Sequence, residues 1–599
     1  MPAMMEDETD VSVCAGLWRR QPTPIKIGFL LFILVSLLFV AFLPSFEGPD
    51  ETEHYRYVLA LADGAAVHPI DLAAPTRYGY EVFQPPFYYC VAALWARMAQ
   101  AEPMERLTVN PSQNPQYPFI RHDLPGHVYP WTGGHLGLRK VRLLSLLAGV
   151  AVMLLTMRFV EVMVPTSVPC RVALLAIAFT PNMLQLFSTV GNDGLSAALA
   201  MAGLVVLLPA FTDRQSTSTR IFLVSGVLLG LAVLTKLTAL IMVAAVGSLI
   251  LIDAMRTGTS RRKALCAGIW ILPILFIVGG YMAYRTVLYG DPTGEWVLTI
   301  VCPGMRKPEA DGVLYLIGVL LRGLPGCLLA DLFWTSITLT SGGKVLALLW
   351  FAGIAGWTVR CGARIRRGES WRALDWLPLL ATIWALAFQV AANRHFASLQ
   401  VRHMLVVWPL LAAAPILLIA NADPRHRARV RIAIGIAILL PLSGVVWSLF
   451  AFQRFYGPTV DGAADRSYDT YLYAYHRDRN RGTSYLENGS FVLYDVAANL
   501  RQGNWQEMIR LVEGTGPTLV TPEIRHLYAI ALLESGDYPR AIAVCETLVV
   551  DLPAVAIVHV RALWQSGQKA AARELIGTHI ATTEGPVQDA LIALREEYQ

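Results

Sequence analysis

The stretch that decides the fold runs from Ile27 to Pro44 and reads IGFLLFILVSLLFVAFLP, without a single charged side chain. A helix of about 20 apolar residues is long enough to cross the hydrocarbon core of a bilayer. Arg19, Arg20 and Lys26 precede the stretch, and no small-residue cleavage site follows it. The pattern therefore predicts a retained first membrane helix behind a cytoplasmic tail at 1–26, rather than a cleaved signal peptide.

Similar apolar segments recur along most of the chain. The chain is 55% hydrophobic and 16% charged, whereas soluble proteins have about 25% charged residues. This composition excludes disorder and a purely soluble enzyme. The sequence has no Walker loop, GxGxxG or HExxH motif, so an ATP-driven pump is not expected. We predict an all-α polytopic membrane protein with about eleven transmembrane helices within 27–453. The ten later spans are expected at roughly 139–162, 171–190, 194–211, 220–236, 237–254, 264–286, 343–361, 374–392, 400–421 and 431–452.

The placement of arginines supports this helix count. When the spans alternate from a cytoplasmic start, the short arginine-rich loops all fall on the inside, as the positive-inside rule requires. Five arginines lie in 360–372 and four in 425–431. Three regions then face outward: a first loop at 45–138, a loop at 287–342, and everything after about 454. This arrangement predicts a multi-pass membrane protein with its chemistry on the extracytoplasmic side.

The segment from Gln84 to Ala99 (QPPFYYCVAALWARMA) is apolar but shorter than a bilayer span. Its two prolines favour a helix that begins there. Its aromatic residues predict a helix that lies in the membrane interface. Tyr88, Tyr89 and Trp95 are accordingly expected to anchor it at that interface.

The composition changes after a predicted linker at 454–489. From 490 to 599, apolar and polar residues alternate at helical spacing, and Gly503, Gly536 and Gly567 mark turns that lie 33 and 31 residues apart. This spacing resembles the tetratricopeptide repeat, which usually binds a peptide or a partner protein. A generic helical bundle is the alternative.

An acidic motif, Pro49-Asp50-Glu51-Thr52-Glu53-His54, follows the first helix directly. Ionisable residues that face a protein cavity at the membrane boundary are costly, and this makes them functional candidates. The structural alternative is that Asp50 and Glu53 form a capping box for a helix at 51–62.

Three further motifs accompany PDETEH: QPPFYY at 84–89, PNMLQLFSTVGND at 181–193, and LTKLTA at 234–239. Their order resembles the bacterial members of the C-type glycosyltransferase superfamily, and more narrowly a bacterial membrane-protein family with a PDEPxHF-type motif. The resemblance covers roughly 25–453. It implies a location in a bacterial inner membrane, a sugar donor linked to polyprenyl phosphate, and an active site that faces away from the cytoplasm.

The resemblance also assigns residues. In that superfamily an acidic residue after the first span acts on the acceptor; here this position is Asp50, with Glu51 beside it. Asp193 matches the second acidic position. The Gly-Arg-Tyr that the family commonly has near a late helix is Val401-Arg402-His403 in this chain, so the arginine is present and its neighbours differ.

The chemistry of glycosyl transfer agrees with these positions. A carboxylate that accepts the proton of the acceptor hydroxyl, and that stabilises an oxocarbenium-like transition state, suits Asp50 or Glu51. The departing phosphate calls for lysine or arginine in a site of low dielectric constant. Asp193 has an alternative role as a helix N-cap, and Lys236 could instead extend to the interface. The predicted catalytic residues are Asp50, Glu51 and Asp193, and the predicted substrate-binding residues are His54, Gln84, Lys236, Arg394, Arg402 and His403.

The expected partners are a polyprenyl-phosphate-sugar donor, the membrane, and a protein bound by the C-terminal repeats; no nucleic acid is expected. No metal site is predicted from the histidines, and the need for a divalent cation is left open. Two alternative functions remain at this level. A polysaccharide or lipid flippase should show internal repeats or broken helices in matched halves, and a non-catalytic envelope scaffold would not require the paired acidic motifs.

Overall fold

The fold is described from a computed structural model. It describes residues 18–19, 21–43, 45–46, 48, 50–68, 78, 80–103, 129–178, 180–212, 218–257, 260–292, 312–314, 340–369, 372–393, 401–422, 427–456, 503, 505–513, 522–548, 554–582 and 586–598. The predicted linker at 454–489 lies almost entirely outside these residues. Every regular element within them is a helix, so the predicted all-α class is confirmed.

The described residues of the N-terminal half form ten α-helices. The first membrane helix is α1, and two short helices of the first loop, α2 and α3, follow it before the long helix α4. Short 3-10 helices lie at Tyr80–Phe83 and Leu237–Ala239. The bounds are α1 Thr23–Phe42, α2 Glu51–Ala62, α3 Phe87–Met98, α4 Gly133–Met163, α5 Val168–Ala178, α6 Pro181–Leu186, α7 Asp193–Thr212, α8 Thr219–Thr235, α9 Leu240–Thr257 and α10 Ser260–Tyr289.

The remaining helices divide into a membrane part and a C-terminal part. Two more 3-10 helices, Ala373–Trp376 and Val401–Val407, precede α12 and α13. The bounds are α11 Thr340–Arg366, α12 Leu377–Asn393, α13 Trp408–Ala420, α14 Arg427–Tyr456, α15 Trp505–Glu513, α16 Pro522–Glu534, α17 Tyr538–Glu546, α18 Val555–Gln565, α19 Lys569–Thr582 and α20 Pro586–Glu597.

Each predicted span lies largely within helical residues, but one of them consists of two separate helices. Among the described residues, seven helices are long and apolar enough to cross a membrane, and α8 and α13 are shorter apolar helices. The expected span at 171–190 is two helices, α5 and α6, because α5 ends at Ala178 and Pro181 starts a new helix. The expectation of one continuous helix there is wrong, and the count of eleven spans stays a prediction.

The membrane core is assembled from the faces of α4, α7, α8 and α10, which pack in sequence against one another. Small residues allow these close contacts. A Cβ atom on Gly203 of α7 would lie 2.7 Å from Leu229 of α8, and one on Gly226 of α8 would lie 2.7 Å from Pro273 of α10. Helices in membranes associate through such small residues because backbones can then approach closely.

The C-terminal helices have hydrophobic clusters of their own, made of residues between Met508 and Tyr598. The predicted turns are present: Gly536 separates α16 from α17 and Gly567 separates α18 from α19, both at a φ of 85°. Glycine adopts this left-handed conformation without a steric penalty. That these helices are tetratricopeptide repeats stays a prediction.

Candidate functional site

Asp50 lies at the N-terminal boundary of α2 in a left-handed conformation, with φ 57° and ψ 10°. Non-glycine residues adopt positive φ rarely, although Asp is among those that tolerate it. The Asp50 side chain makes no capping hydrogen bond to α2, and the residue is only 6% exposed. Capping of α2 is therefore not the role of this buried carboxylate, and the capping-box alternative is wrong.

Glu51 forms a buried ion pair with Arg142 of α4. Its Oε1 accepts from Arg142 Nε at 2.8 Å and its Oε2 from Arg142 Nη2 at 2.6 Å. The same carboxylate accepts from the backbone amides of Phe46 at 3.1 Å and Val190 at 2.9 Å. Arg142 also donates to Leu43 O at 2.7 Å. These contacts join the end of α1, the start of α2, α4 and the segment before α7, which favours a positioning role for Glu51.

His54 begins a chain of polar contacts inside the first loop. Its Nδ1 lies 2.8 Å from the hydroxyl of Tyr89, which donates to Glu81 Oε2 at 3.2 Å. Burial raises the pKa of Tyr89 above its ordinary value, and the nearby Glu81 adds to this. Tyr88 and Tyr89 are at most 1% exposed, so the expectation that they anchor α3 at the membrane interface is wrong. Trp95 donates instead to Lys140 O at 2.8 Å.

Asp50, His54 and Glu81 come together closely enough to hold a cation. One ligand atom from each lies within 4.8 Å of the others, and all three residues are buried. Two carboxylates and an imidazole suit a divalent transition metal such as Zn²⁺ or Mn²⁺. The sequence did not predict this grouping, because Glu81 is distant from the PDETEH motif along the chain.

The second acidic motif packs against the first. Gly191 N donates to Tyr88 OH at 3.1 Å, and a Cβ atom on Gly191 would lie 3.6 Å from the His54 ring. Asn192 Nδ2 is 3.4 Å from Gln84 Oε1 and 3.3 Å from Thr235 O. The predicted residues His54 and Gln84 therefore both lie beside the Gly191–Asp193 turn.

Lys236 and Asp193 form an ion pair. Lys236 Nζ lies 2.7 Å from Asp193 Oδ1, and the two side chains are 6% and 12% exposed. Lys236 is the residue between α8 and the Leu237–Ala239 turn. An ammonium group that a carboxylate fixes in this way can meet a phosphate without rearranging the backbone.

The structure describes the other two predicted arginines, Arg394 and Arg402, only in part or not at all. Arg394 lies outside the described residues. Arg402 lies in the 3-10 helix Val401–Val407, but its side chain is outside the described part. This 3-10 helix packs against α7 and against Leu237–Ala239, and His403 within it is half-buried. The backbone of Arg402 is thus near the turn that follows Lys236.

Sequence reasoning missed Arg142 and Glu81. Arg142 lies within a predicted membrane span, and an ionisable residue in such a span is a functional or structural signal that could have been used. Glu81 precedes the QPPFYY motif by only a few residues. Its partner could not be inferred, because His54 reaches it only after α2 and α3 have packed together.

Comparison with known proteins finds a family model that matches part of the chain. Residues 133–280 match the family model of dolichyl-phosphate-mannose-protein mannosyltransferase. No curated protein matches the chain. ArnT from Cupriavidus metallidurans in the apo state is 14% identical over 93% of this chain and 81% of that one, with a TM-score of 0.42.

Two further structures are similar at the same level. ArnT from Cupriavidus metallidurans bound to undecaprenyl phosphate is 14% identical over 93% of this chain and 80% of that one, with a TM-score of 0.42. The apo oligosaccharyltransferase of Archaeoglobus fulgidus is 12% identical over 90% of this chain and 73% of that one, with a TM-score of 0.45. All three TM-scores are below 0.5.

The matched segment contains Arg142, Asp193 and Lys236, which are three of the residues that build the site. It begins with α4 and ends within α10. Over residues 133–280 the chain is therefore similar to the dolichyl-phosphate-mannose-protein mannosyltransferases, and its resemblance to the C-type glycosyltransferases is confirmed there.

Proposed function

We propose that the chain is an integral membrane glycosyltransferase. It transfers a sugar from a polyprenyl-phosphate-linked donor to a hydroxyl of an envelope glycan, lipid or protein at the predicted outer face. The family match over 133–280 supports the type of reaction and the type of donor. The helical membrane fold supports a donor whose hydrocarbon tail stays in the bilayer.

The observation that carries the proposal is the joining of the two acidic motifs at one end of the bundle. Glu51 accepts from Val190 N at 2.9 Å, and Gly191 lies against His54. These contacts hold the Asp50 segment against the turn that leads to Asp193, which in turn pairs with Lys236. A buried carboxylate and a buried ammonium on neighbouring segments match the two charges that develop during glycosyl transfer.

The reaction follows from these positions. The acceptor hydroxyl attacks the anomeric carbon of the donor while its proton passes to the Asp50 carboxylate. The new bond joins the acceptor oxygen to that carbon, and the bond between that carbon and the phosphate oxygen breaks. The electron pair leaves with the polyprenyl phosphate, whose negative charge Lys236 stabilises. Asp193 holds the Lys236 ammonium in place. Direct displacement of this kind inverts the configuration at the anomeric carbon.

Asp50→Asn tests this proposal, because it retains the shape of the side chain and removes its ability to accept a proton. We expect turnover to fall by about a hundred-fold or more, the usual contribution of a positioned general base. The melting temperature should change little, since Asp50 does not cap α2. The matched control is Glu53→Gln, which alters a buried carboxylate in the first turn of the same helix.

The readout is mass spectrometry of envelope glycans from a deletion strain that carries each variant. The parental gene and Glu53→Gln should restore the missing glycan, and Asp50→Asn should not. If Asp50→Asn, inserted at parental levels, restores the glycan at the parental rate, Asp50 is not the base.

A further inference from the structure

A polar cavity lies far from the carboxylates of the candidate functional site. It has a volume of about 490 Å³, within the range of roughly 300–1,000 Å³ that is usual for ligand sites. We call it the arginine cavity. Its lining includes Arg256, Arg364, Arg372, Asp375, Trp357 and Asn421.

The arginine cavity is at the opposite end of the helix bundle from Glu51. The end of α4 at Met163 and the end of α9 at Arg256 line it. On α4, Arg142 contacts Glu51, and Met163 is 21 residues further along the helix. At about 1.5 Å per residue the two ends are roughly 30 Å apart, which is the thickness of a bilayer core. The predicted topology makes this the cytoplasmic face.

The lining carries more positive than negative charge. Three arginines line the cavity with one carboxylate, Asp375. Asp375 is 3% exposed and accepts from Arg372 N at 3.0 Å and Arg372 Nη2 at 3.1 Å. Arg364 Nη1 lies 3.7 Å from Asp375, and Arg364 Nε lies 3.4 Å from Glu369, outside the lining. Asp375 thus orients two guanidinium groups around the cavity.

One of the arginines also has a structural role. Arg372 Nη1 donates to Val162 O at 3.1 Å, at the C-terminal turn of α4. Cations stabilise helix C-termini in this way. The contact with α4 therefore explains Arg372 without a bound ligand. Arg256 and Arg364 therefore carry the argument for binding. The Arg364 side chain is 26% exposed and that of Arg372 39%, so an anion can reach the cavity from solvent.

We propose that the arginine cavity binds a phosphate monoester. A phosphate monoester carries a charge of about −1.5 to −2 near pH 7, which matches the surplus of positive charge in the lining. Guanidinium groups bind phosphate oxygens through paired hydrogen bonds. The monoester can belong to a lipid headgroup in the adjacent leaflet or to a soluble phosphate, and the site is independent of the reaction at Asp50.

The test uses the full chain in phosphatidylcholine nanodiscs that contain a minor fraction of phosphatidic acid. Native mass spectrometry then counts the lipids that stay bound to the protein. We expect phosphatidic acid, a monoester, to be retained at least tenfold more than phosphatidylglycerol, which is a diester of lower charge. Arg256→Gln combined with Arg364→Gln should remove this preference and leave Arg372 to cap α4.

Two controls make the result specific. Arg158→Gln removes a half-exposed arginine of α4 that is paired with Glu161 and should not change the retained lipid. Arg256→Lys with Arg364→Lys keeps the charge and should restore part of the preference. Competition by inorganic phosphate separates the sources: displacement of phosphatidic acid shows that the cavity accepts soluble phosphate, and no displacement shows that it requires the lipid.

Other results would overturn the proposal. Equal retention of phosphatidic acid and phosphatidylglycerol by the parent chain would mean that the arginines only attract anionic lipid in general. An unchanged preference in the doubly substituted variant, confirmed as folded by its melting temperature, would place the bound lipid elsewhere.

Discussion

Glu51 and Arg142 are ninety-one positions apart in the sequence and form an ion pair in which neither side chain is exposed to solvent. Burying two charges costs several kcal/mol per ion, and the cost is recovered only when the geometry is good and the remaining hydrogen-bond positions are filled. Glu51 meets that condition, because the backbone amides of Phe46 and Val190 also donate to its carboxylate. The first loop is therefore attached to α4 at the point where the acidic motif begins.

Removing one partner of this pair should destabilise the protein. For Arg142→Gln we expect a loss of about 3–5 kcal/mol, because Glu51 would remain buried without its counter-charge. The measurement is the melting temperature in detergent, followed by intrinsic tryptophan fluorescence. Arg158→Gln, which breaks the more exposed pair with Glu161, should cost about 1 kcal/mol or less. Equal melting temperatures for Arg142→Gln and the parent would contradict this account of the pair.

Lys236→Gln should impair the chemical step. Loss of one preorganised contact to a developing negative charge typically costs a factor of about 100–1,000 in turnover. Lys236→Arg keeps the charge and should retain more activity. Lys140→Gln is the control, because Lys140 is a lysine of α4 that donates to Gln100 O at the surface. Donor turnover at the parental rate in Lys236→Gln would remove Lys236 from the reaction.

His68 should make the first loop sensitive to acid. It is 4% exposed, and burial lowers the pKa of His68 to about 4, with a further contribution from Arg285. Since the unfolded chain titrates near 6.5, it binds a proton between pH 6.5 and 4 that the folded chain does not. The stabilising contribution is complete above about pH 6.5 and is lost as the pH falls towards 4.

A pH series of melting temperatures measures this effect. His68→Asn is the matched variant, because Asn tolerates the positive φ of 56° at this position and does not titrate. Its melting temperature should fall less between pH 6.5 and 4 than that of the parent. Identical slopes for the two proteins would show that groups other than His68 set the acid sensitivity.

The C-terminal helices should be separable from the chemistry. Their hydrophobic clusters contain only residues between Met508 and Tyr598, so a fragment of 490–599 should give a helical circular dichroism spectrum with a cooperative thermal transition. Deleting the same residues should leave donor turnover on a simple acceptor largely intact. Complete loss of turnover in a truncated chain that inserts normally would make these helices part of the active site.

The sequence predicted the helical segments well because a run of apolar residues has few alternatives in a membrane protein. It also pointed to Asp50, Asp193 and Lys236 as charged residues next to apolar spans, and their roles stay predictions. It could not predict which charges pair. Glu51 was expected to support Asp50 by orienting the acceptor, a cationic group or a bound cation, and that role stays a prediction. That Arg142 is its cationic neighbour depends on how α2 docks on α4.

The irregular segment between α6 and α7 is tied to the first loop, so the two segments can be exchanged between relatives only together. Residues 187–192 lie outside any helix and are buried, and two of their backbone amides, those of Val190 and Gly191, donate to Glu51 and Tyr88. Irregular backbone at membrane depth persists only where protein groups satisfy it. A chimaera that replaces 45–62 and 80–98 with the first loop of a relative would therefore leave those amides without acceptors unless 187–193 were replaced with it.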